Sequence, residues 1–332
     1  MADEEKTEID HHSDADEKIP ADEETDAIDY FEFLPEDLIH KIFSLIGDAE
    51  VLGRCLLVSR RFKSFAQIVP AVTVRADFIQ PTWSLTRRRV LNTPLLPVNS
   101  KVFLLDRVTS YSPFQRISMH QVLTNFKKIK RLHLELPVSE INVLDGGGLI
   151  LKWKVEIQSS ADRFAIFTAT ESSNPDDPYP IGLDLEAYGN DRKWKGEAWF
   201  FTALAAAWAR NHCLSKIVAD YPALETILVT DANGQGVLAL DLKQGPNVFK
   251  NSLTTWLTSK DITVWILPKL KLPGGMVLDE PILIARDTST ADTVDLSIRN
   301  GDNHWILNSF EEPFRTAVNM MMQSELLFIE EL

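Results

Sequence analysis

The densest hydrophobic pattern of the chain lies in residues 30–68, where it predicts three short helices. In the first helix the apolar residues recur at helical spacing and leave only a narrow polar stripe, as on a helix that is buried on more than one side. Pro35 suits the first position of this helix and Gly47 its end. The recurring apolar residues are Leu38, Ile39, Ile42, Phe43, Leu45 and Ile46.

The two helices that follow are marked by their capping residues. Asp48 is a favourable N-cap for a helix over 49–58, and Ser59 is a favourable N-cap for a helix over 60–67. Each cap stands directly before its apolar run, so the pattern predicts three helices joined by very short turns.

These helices carry more apolar surface than they can bury among themselves. A unit of roughly 40 residues rarely builds an adequate core alone. We expect Ile39 and Phe43 to face the other two helices. The remaining row is expected to dock onto a partner protein, and it consists of Leu38, Ile42, Leu45 and Ile46.

The residues of this stretch resemble an F-box. The resemblance is carried by Leu34-Pro35-Glu36-Asp37, by Ile42, Leu45 and Ile46, and by Leu57-Val58-Ser59-Arg60-Arg61-Phe62. Two positions depart from the common pattern, since Phe62 stands where many F-boxes have Trp and Ser59 stands where Cys is frequent. An F-box implies binding to a Skp-type adaptor. The residues that the resemblance assigns to adaptor binding are Leu34, Pro35, Leu38, Ile42, Leu45, Ile46, Leu57, Val58 and Phe62.

Beyond residue 70 the pattern changes to mixed strands and helices. Residues 123–137 and 213–231 each combine a helix end, a turn and a strand with alternating apolar residues, which is the local pattern of a leucine-rich repeat. Two such copies do not make a regular solenoid. We therefore predict an irregular, leucine-rich-repeat-like α/β domain over residues 71–332.

Other segments of this domain are predicted from apolar runs and turn residues. The glycines at 146–148 suggest a hairpin that pairs 142–144 with 149–158. The spacing of Trp199, Leu204 and Trp208 predicts a buried helix over 197–210. Further strands are predicted at 163–171, 262–267 and 282–286, with a turn at 273–275 and a final helix after residue 313.

This body extends the resemblance to the plant F-box proteins typified by the auxin-up-regulated ones. The segments that carry it are 125–137, 151–157 and 209–238. Membership of that family implies a non-catalytic substrate receptor of an SCF-type cullin E3 ubiquitin ligase, which reaches the cullin and RING subunits through the adaptor. The expected fold class is α+β, with a three-helix F-box at 30–70 followed by the α/β domain.

Charge is concentrated at the N-terminus. Residues 1–29 contain thirteen acidic residues and two lysines, a net charge of −11 within the −14 of the whole chain. This composition predicts a disordered acidic tail, which is either a solvated leader or a binding segment. The rest of the chain is nearly neutral, which argues against nucleic-acid binding.

Cysteine content and hydropathy indicate the compartment. Cys55 and Cys213 are too few for a disulfide framework and suit a reducing environment. No apolar run approaches the roughly 20 residues of a membrane-spanning helix. The acidic N-terminus is unlike a signal or transit peptide. We expect the protein in the nucleus, the cytoplasm or both, and we expect no membrane partner.

No local pattern indicates catalysis, a metal or a cofactor. The segment from Asp231 to Gln235 matches the start of an EF-hand loop, but the twelfth position is Leu242 instead of a bidentate carboxylate. A turn between two strands fits better. Gly234 and Gly236 mimic part of a dinucleotide fingerprint, but a following helix would be broken at once by 245–246.

Three functional hypotheses follow. The favoured one is the ligase substrate receptor, in which the F-box binds the adaptor and the domain after residue 70 binds an unknown protein substrate. The second is an F-box interaction protein that acts outside a ligase, and finding the cullin in a pull-down would separate the two. The third is a small-molecule-binding or enzymatic α/β domain with an attached F-box, which a ligand in a pocket lined by the later strands would favour.

Overall fold

The computed structural model describes residues 30–75, 122–136, 148–158, 162–172, 185–243, 262–287, 304–324 and 327–328, without the side chains of 32, 185–198, 212, 327 and 328. The acidic segment 1–29 lies outside these residues, as does the first strand of the proposed 142–144 hairpin. None of the helices in the described ranges is long and apolar enough to cross a membrane.

The N-terminal helices form at the predicted positions. A 3-10 helix, Tyr30–Phe33, precedes α1 (Glu36–Ile46), α2 (Ala49–Val58) and α3 (Arg60–Ala66). Pro35, predicted as the first helical residue, is instead the N-cap of α1, so the helix begins one residue later than predicted. Gly47 ends α1 with a φ of 60°, a left-handed conformation that glycine adopts without a Cβ clash.

Both predicted capping side chains make the expected bonds. The Oδ1 atom of Asp48 accepts from the backbone N–H groups of Glu50 and Val51 at 2.9 and 3.1 Å. The hydroxyl of Ser59 accepts from the N–H of Phe62 at 3.1 Å. These bonds satisfy amide groups that a helix start leaves without a partner, so the chain turns sharply between the three helices.

The described strands after residue 70 form one mixed sheet. Its order is β1-β2-β5-β6-β3-β4-β9-β7-β10, and β8 pairs with β9. The strands are β1 (Ala71–Arg75), β2 (Arg131–Leu136), β3 (Leu149–Ile157), β4 (Asp162–Glu171), β5 (Thr226–Asp231), β6 (Gly236–Asp241), β7 (Thr263–Ile266), β8 (Lys269–Lys271), β9 (Val277–Asp287) and β10 (Leu327–Phe328).

The two segments with the leucine-rich-repeat pattern lie side by side in this sheet. Their strands, β2 and β5, are parallel, and Leu132 pairs with Ile227 in register. β1 extends the parallel group on the other side of β2. The described residues between the two segments form β3, β4 and a long helix instead of further repeat units. The α+β fold is thus confirmed, while the leucine-rich-repeat-like description stays a prediction.

Helices cover both faces of the later part of the sheet. On one face lies α4 (Leu185–Asp220), and on the other lie α5 (His304–Leu307) and α6 (Phe314–Gln323). β4 is therefore buried on both sides, with Phe164 facing α4 and Phe167 facing α6. This explains the nearly continuous apolar sequence of β4.

Some details differ from the sequence-based expectation. The helix predicted over 197–210 extends from Leu185 to Asp220. Within it Leu204 is fully buried but Trp208 is more than one third exposed, so its predicted burial is wrong. β3 pairs with β4 and β6, and the short strand β8 had no clear sequence signal.

The N-terminal helices and the sheet share one core. Ile39 and Phe43 of α1 belong to the same continuous apolar cluster as Leu132 of β2 and Leu204 of α4. Backbone bonds join the two parts as well, since the N–H of Thr73 donates to the carbonyl of Gly47 at 2.7 Å. The division into units at residue 70 stays a prediction.

Candidate functional site

One side of α1 closes the core of the N-terminal helices. Ile39 is fully buried and Phe43 is 2% exposed. The ring of Phe43 lies 5.4 Å from that of Phe62 and 6.0 Å from that of Phe65, while Phe31 of the 3-10 helix contacts Phe62 at 5.2 Å. This aromatic cluster locks α1, α3 and the chain before them into one arrangement.

The other side of α1 leaves apolar side chains in solvent. Leu38, Ile42 and Leu45 are 48%, 39% and 78% exposed, and their spacing places them on one helical face. At the end of α2, Leu57 and Val58 are 87% and 67% exposed. Large exposed apolar groups on a short helical unit mark a protein-binding surface.

The remaining predicted adaptor residues are divided between core and surface. Leu34, Ile46 and Phe62 are half-buried and pack against the core, so they present only part of their surface. Pro35 is exposed at the start of α1. As a set of binding residues, all nine stay a prediction.

The sequence reasoning missed four exposed apolar residues of these helices, one of which is Phe31, 39% exposed. Tyr30 and Phe33 of the 3-10 helix are 75% and 76% exposed, and Val51 of α2 is 43% exposed. Tyr30 and Phe33 are aromatic residues directly before the Leu34-Pro35 pair, which is a signal that could have found them. The apolar surface therefore begins before α1.

Charged residues adjoin this surface. Glu36 and Asp37 lie in the first turn of α1, where the helix dipole favours negative charge. Glu50 and Arg54 of α2 form an i,i+4 ion pair at 2.5 Å that is about three quarters exposed. Such exposed pairs contribute about 0–1 kcal/mol to stability. The pair therefore adds little to the stability of α2.

The turn that resembles an EF-hand is built around a buried ion pair. The carboxylate of Asp231 accepts from Arg210 at 2.5 Å and from the N–H of Gly236 at 2.9 Å. Arg210 also lies 4.5 Å from the centre of the Trp153 ring. As predicted, the segment is a turn between two antiparallel strands, β5 and β6. Both carboxylate oxygens of Asp231 are already occupied by the protein.

The described residues contain no clustered metal ligands. Within those ranges no group of three or more His, Cys, Asp or Glu side chains could hold a metal ion. Cys55 and Cys213 are each half-buried in separate helices. The apolar surface on α1 and α2 is therefore the best-defined candidate site.

Comparison with known proteins agrees with this assignment. The F-box-like family model matches residues 31–68, which span the three N-terminal helices. F-box protein At1g30200 of Arabidopsis thaliana is 28% identical over an alignment that covers 94% of this chain and 95% of the relative.

Two further Arabidopsis thaliana relatives carry the AUF name. F-box protein AUF2 is 24% identical and covers 80% of this chain, and 87% of the relative is aligned. F-box protein AUF1 is 25% identical and covers 64% of this chain, and 69% of the relative is aligned. No solved structure gives a significant match. The chain thus carries an F-box-like domain at residues 31–68 and, as its sequence predicts, resembles the plant F-box proteins of the auxin-up-regulated family.

Proposed function

We propose that this protein is the substrate-recognition subunit of an SCF-type cullin E3 ubiquitin ligase. The supporting observation is the exposed apolar row of Leu38, Ile42 and Leu45, continued by Leu57 and Val58, on helices that match the F-box-like model. In this proposal a Skp-type adaptor covers the row and connects the chain to cullin and RING subunits.

The energetics favour a protein partner for this surface. Each large aliphatic side chain that leaves water contributes roughly 1.5–3 kcal/mol. Five such residues lie on short helices whose own core is already filled by Ile39, Phe43 and the aromatic cluster. A second protein docked on these helices would remove this apolar surface from water.

The contribution to ubiquitin transfer is proximity. The chain supplies no acid or base in this scheme, and its sheet domain holds a protein substrate near the loaded enzyme. Tethering raises the local concentration of substrate lysines at the site of transfer. We further propose that this occurs in the nucleus, the cytoplasm or both.

Capture of the adaptor and the cullin by the full chain tests the proposal. Leu45→Asp places a charge in the apolar row at a side chain that is 78% exposed, so folding should be retained. The matched control is Leu228→Asp, since Leu228 is an exposed leucine on β5, outside the helices.

The proposal expects wild type and Leu228→Asp to capture both adaptor and cullin, and Leu45→Asp to lose both. Capture of the adaptor without the cullin would support the second hypothesis, an F-box protein that acts outside a ligase. Equal capture by all three chains would overturn the assignment of this surface.

A further inference from the structure

A cluster of basic side chains lies where the end of α3 meets the N-terminal edge of the sheet. We call it the basic rim. Within the part of the chain that the structure describes, Lys130 is the one member that forms an ion pair, and every member is exposed. The rim consists of Arg60, Lys63, Lys127, Lys128, Lys130, Arg131 and Lys243.

Backbone hydrogen bonds bring these residues together from three segments, α3, residues 127–131 and the residue after β6. The N–H of Lys127 donates to the carbonyl of Gln67, one turn after Lys63, at 2.8 Å. The N–H groups of Lys130 and Arg131 both donate to the carbonyl of Pro70. Lys243 is brought close by its neighbour Leu242. The N–H of Leu242 donates to the carbonyl of Glu225, and the N–H of Glu225 donates to the carbonyl of Lys130.

Few carboxylates offset this charge. Glu225 pairs with Lys130 at 2.7 Å, and the hydrogen bond from Lys130, together with the charges of Lys130, Lys243 and Arg131, holds the pKa of Glu225 below its usual range. Asp241 accepts the backbone N–H of Lys243, and Asp220 ends the nearby helix α4. The rim is therefore positive in a chain whose net charge is −14.

The acidic segment 1–29 joins the folded part beside this rim. It ends immediately before Tyr30, and the next residue, Phe31, is held on α3. Its ring contacts Phe62 at 5.2 Å, and its carbonyl accepts from Arg61 at 3.1 Å. The segment with the thirteen carboxylates is thus connected to the chain next to α3, the helix that also carries Arg60 and Lys63.

We infer that the basic rim is the docking surface for the chain's own acidic segment, residues 1–29. Charge complementarity selects the surface, and the covalent connection raises the effective concentration of the segment to the order of millimolar. Such contacts need no unique conformation, which fits a segment with little apolar content. The inference does not depend on adaptor binding.

Zero-length carbodiimide crosslinking of the full chain, read by mass spectrometry, tests this inference. Lys271 is the reference lysine, because it is exposed on β8, which pairs with β9 on the side away from β4 and so lies seven strands from β1. That separation is roughly 34 Å at about 4.8 Å per strand. An extended segment of this length reaches on the order of 100 Å, so geometry alone would allow both contacts.

We expect links from the acidic segment to Lys63, Lys127, Lys128 and Lys243 to exceed those to Lys271 by at least about fivefold at about 0.05 M salt. The excess should vanish near 1 M salt, where the Debye length falls to about 3 Å. Lys127→Glu combined with Lys128→Glu should reduce the remaining rim links, whereas Lys271→Glu should not.

Mixing isotopically labelled and unlabelled chains identifies links between molecules. Absent links, equal links to Lys271, or links formed mainly between molecules would each overturn the inference. A short nucleic acid that binds the rim could also remove the rim links. That loss supports the inference only if the intramolecular links were present before the nucleic acid was added. If the double variant fails to fold by circular dichroism, the distribution of links in the wild-type chain decides.

Discussion

Ile42 and Phe43 are consecutive residues of α1, yet they face opposite environments. Ile42 is 39% exposed on the candidate binding surface, whereas Phe43 is 2% exposed and lies against Phe62 and Phe65. Successive residues of an α-helix point about 100° apart, which makes this division possible. The pair therefore offers neighbouring positions at which binding and folding can be tested separately.

Ile42→Asp should abolish adaptor binding without unfolding the helices. A buried, unpaired carboxylate costs several kcal/mol in addition to the lost apolar contact. Since about 1.4 kcal/mol is tenfold, adaptor affinity should fall at least about a hundredfold. Phe43→Asp should instead lose both helicity and binding. Titration calorimetry and far-UV circular dichroism distinguish the two results, and unchanged affinity in Ile42→Asp would show that this face does not meet the adaptor.

Gly236 should not tolerate even one methyl group. A Cβ at this position would lie 2.3 Å from two ring carbons of Trp153, which is 2% exposed and has little room to move. Gly236→Ala should lower the free energy of unfolding by about 1–3 kcal/mol. The control is Gly53→Ala in α2, where no atom lies within 4 Å of the added Cβ.

The control should have the opposite sign. Alanine in a helix interior is favoured over glycine by about 0.5–1 kcal/mol, so Gly53→Ala should stabilise the protein slightly. Urea denaturation of both variants measures the two effects. Equal stability of Gly236→Ala and wild type would mean that the Trp153 ring can leave its position at little cost.

The ion pair of Arg210 and Asp231 should be strongly coupled. Their side chains are 7% and 2% exposed, so Arg210→Met would leave a buried carboxylate without its cation. Breaking a buried pair in this way typically costs about 3–5 kcal/mol. Adding Asp231→Asn to Arg210→Met should recover part of the loss. A double-mutant cycle in urea checks this, and simple additivity would argue against the coupling.

Calcium should leave thermal stability unchanged. A ligand that binds only the folded state raises the melting temperature. Here Asp231 is engaged by Arg210 and by the N–H of Gly236, and Leu242 cannot ligate the ion. Thermal melting with and without millimolar calcium measures the effect. A rise in melting temperature that Asp231→Ala removes would restore the EF-hand interpretation.

The free energy of unfolding should decrease as the pH falls through the normal pKa of histidine, and His133 should contribute to this decrease. Burial lowers the pKa of His133 below 6.5, and the charge of Glu135 opposes this only partly. Between the folded and unfolded pKa values the unfolded chain binds more protons, so the free energy of unfolding falls with decreasing pH. His133 also contacts the hydroxyl of Thr230 at 2.8 Å.

His133→Asn removes the titrating group at this position. Comparing urea denaturation at pH 8 and near pH 5.5, we expect the wild type to lose more stability than the variant over this interval. Other titrating groups contribute equally to both proteins, so the difference isolates His133. An identical loss in the two proteins would contradict the assignment.

Local signals allowed the N-terminal helices to be predicted almost residue by residue. Asp48, Ser59 and Gly47 specify the helix ends through bonds and backbone conformations that span four residues or fewer. The contrast between Ile39 and Ile42 followed from helical spacing alone. The partial burial of Ile46 did not, because Ile46 packs against a core cluster that includes residues from distant parts of the sequence.

The sheet shows where such reasoning ends. Apolar runs located most of the described strands, but nothing local to Leu132 indicates that its partner is Ile227 rather than a nearer strand. The buried pair of Arg210 and Asp231 was likewise invisible, since each residue alone looks like an ordinary surface charge. Contacts of this kind depend on the order of strands, which sequence patterns do not encode.

The hydrogen bonds that join the helices to the sheet have a mechanical consequence. Gly47 holds Thr73, and the carbonyls of Gln67 and Pro70 hold the segment that leads into β2. These bonds therefore fix the orientation of the helices relative to the sheet. In the proposed complex the sheet would therefore keep a fixed orientation relative to the adaptor. A substrate bound to the sheet would present the same lysines to the incoming ubiquitin each time. The orientation of the sheet would thus select which substrate lysines are modified.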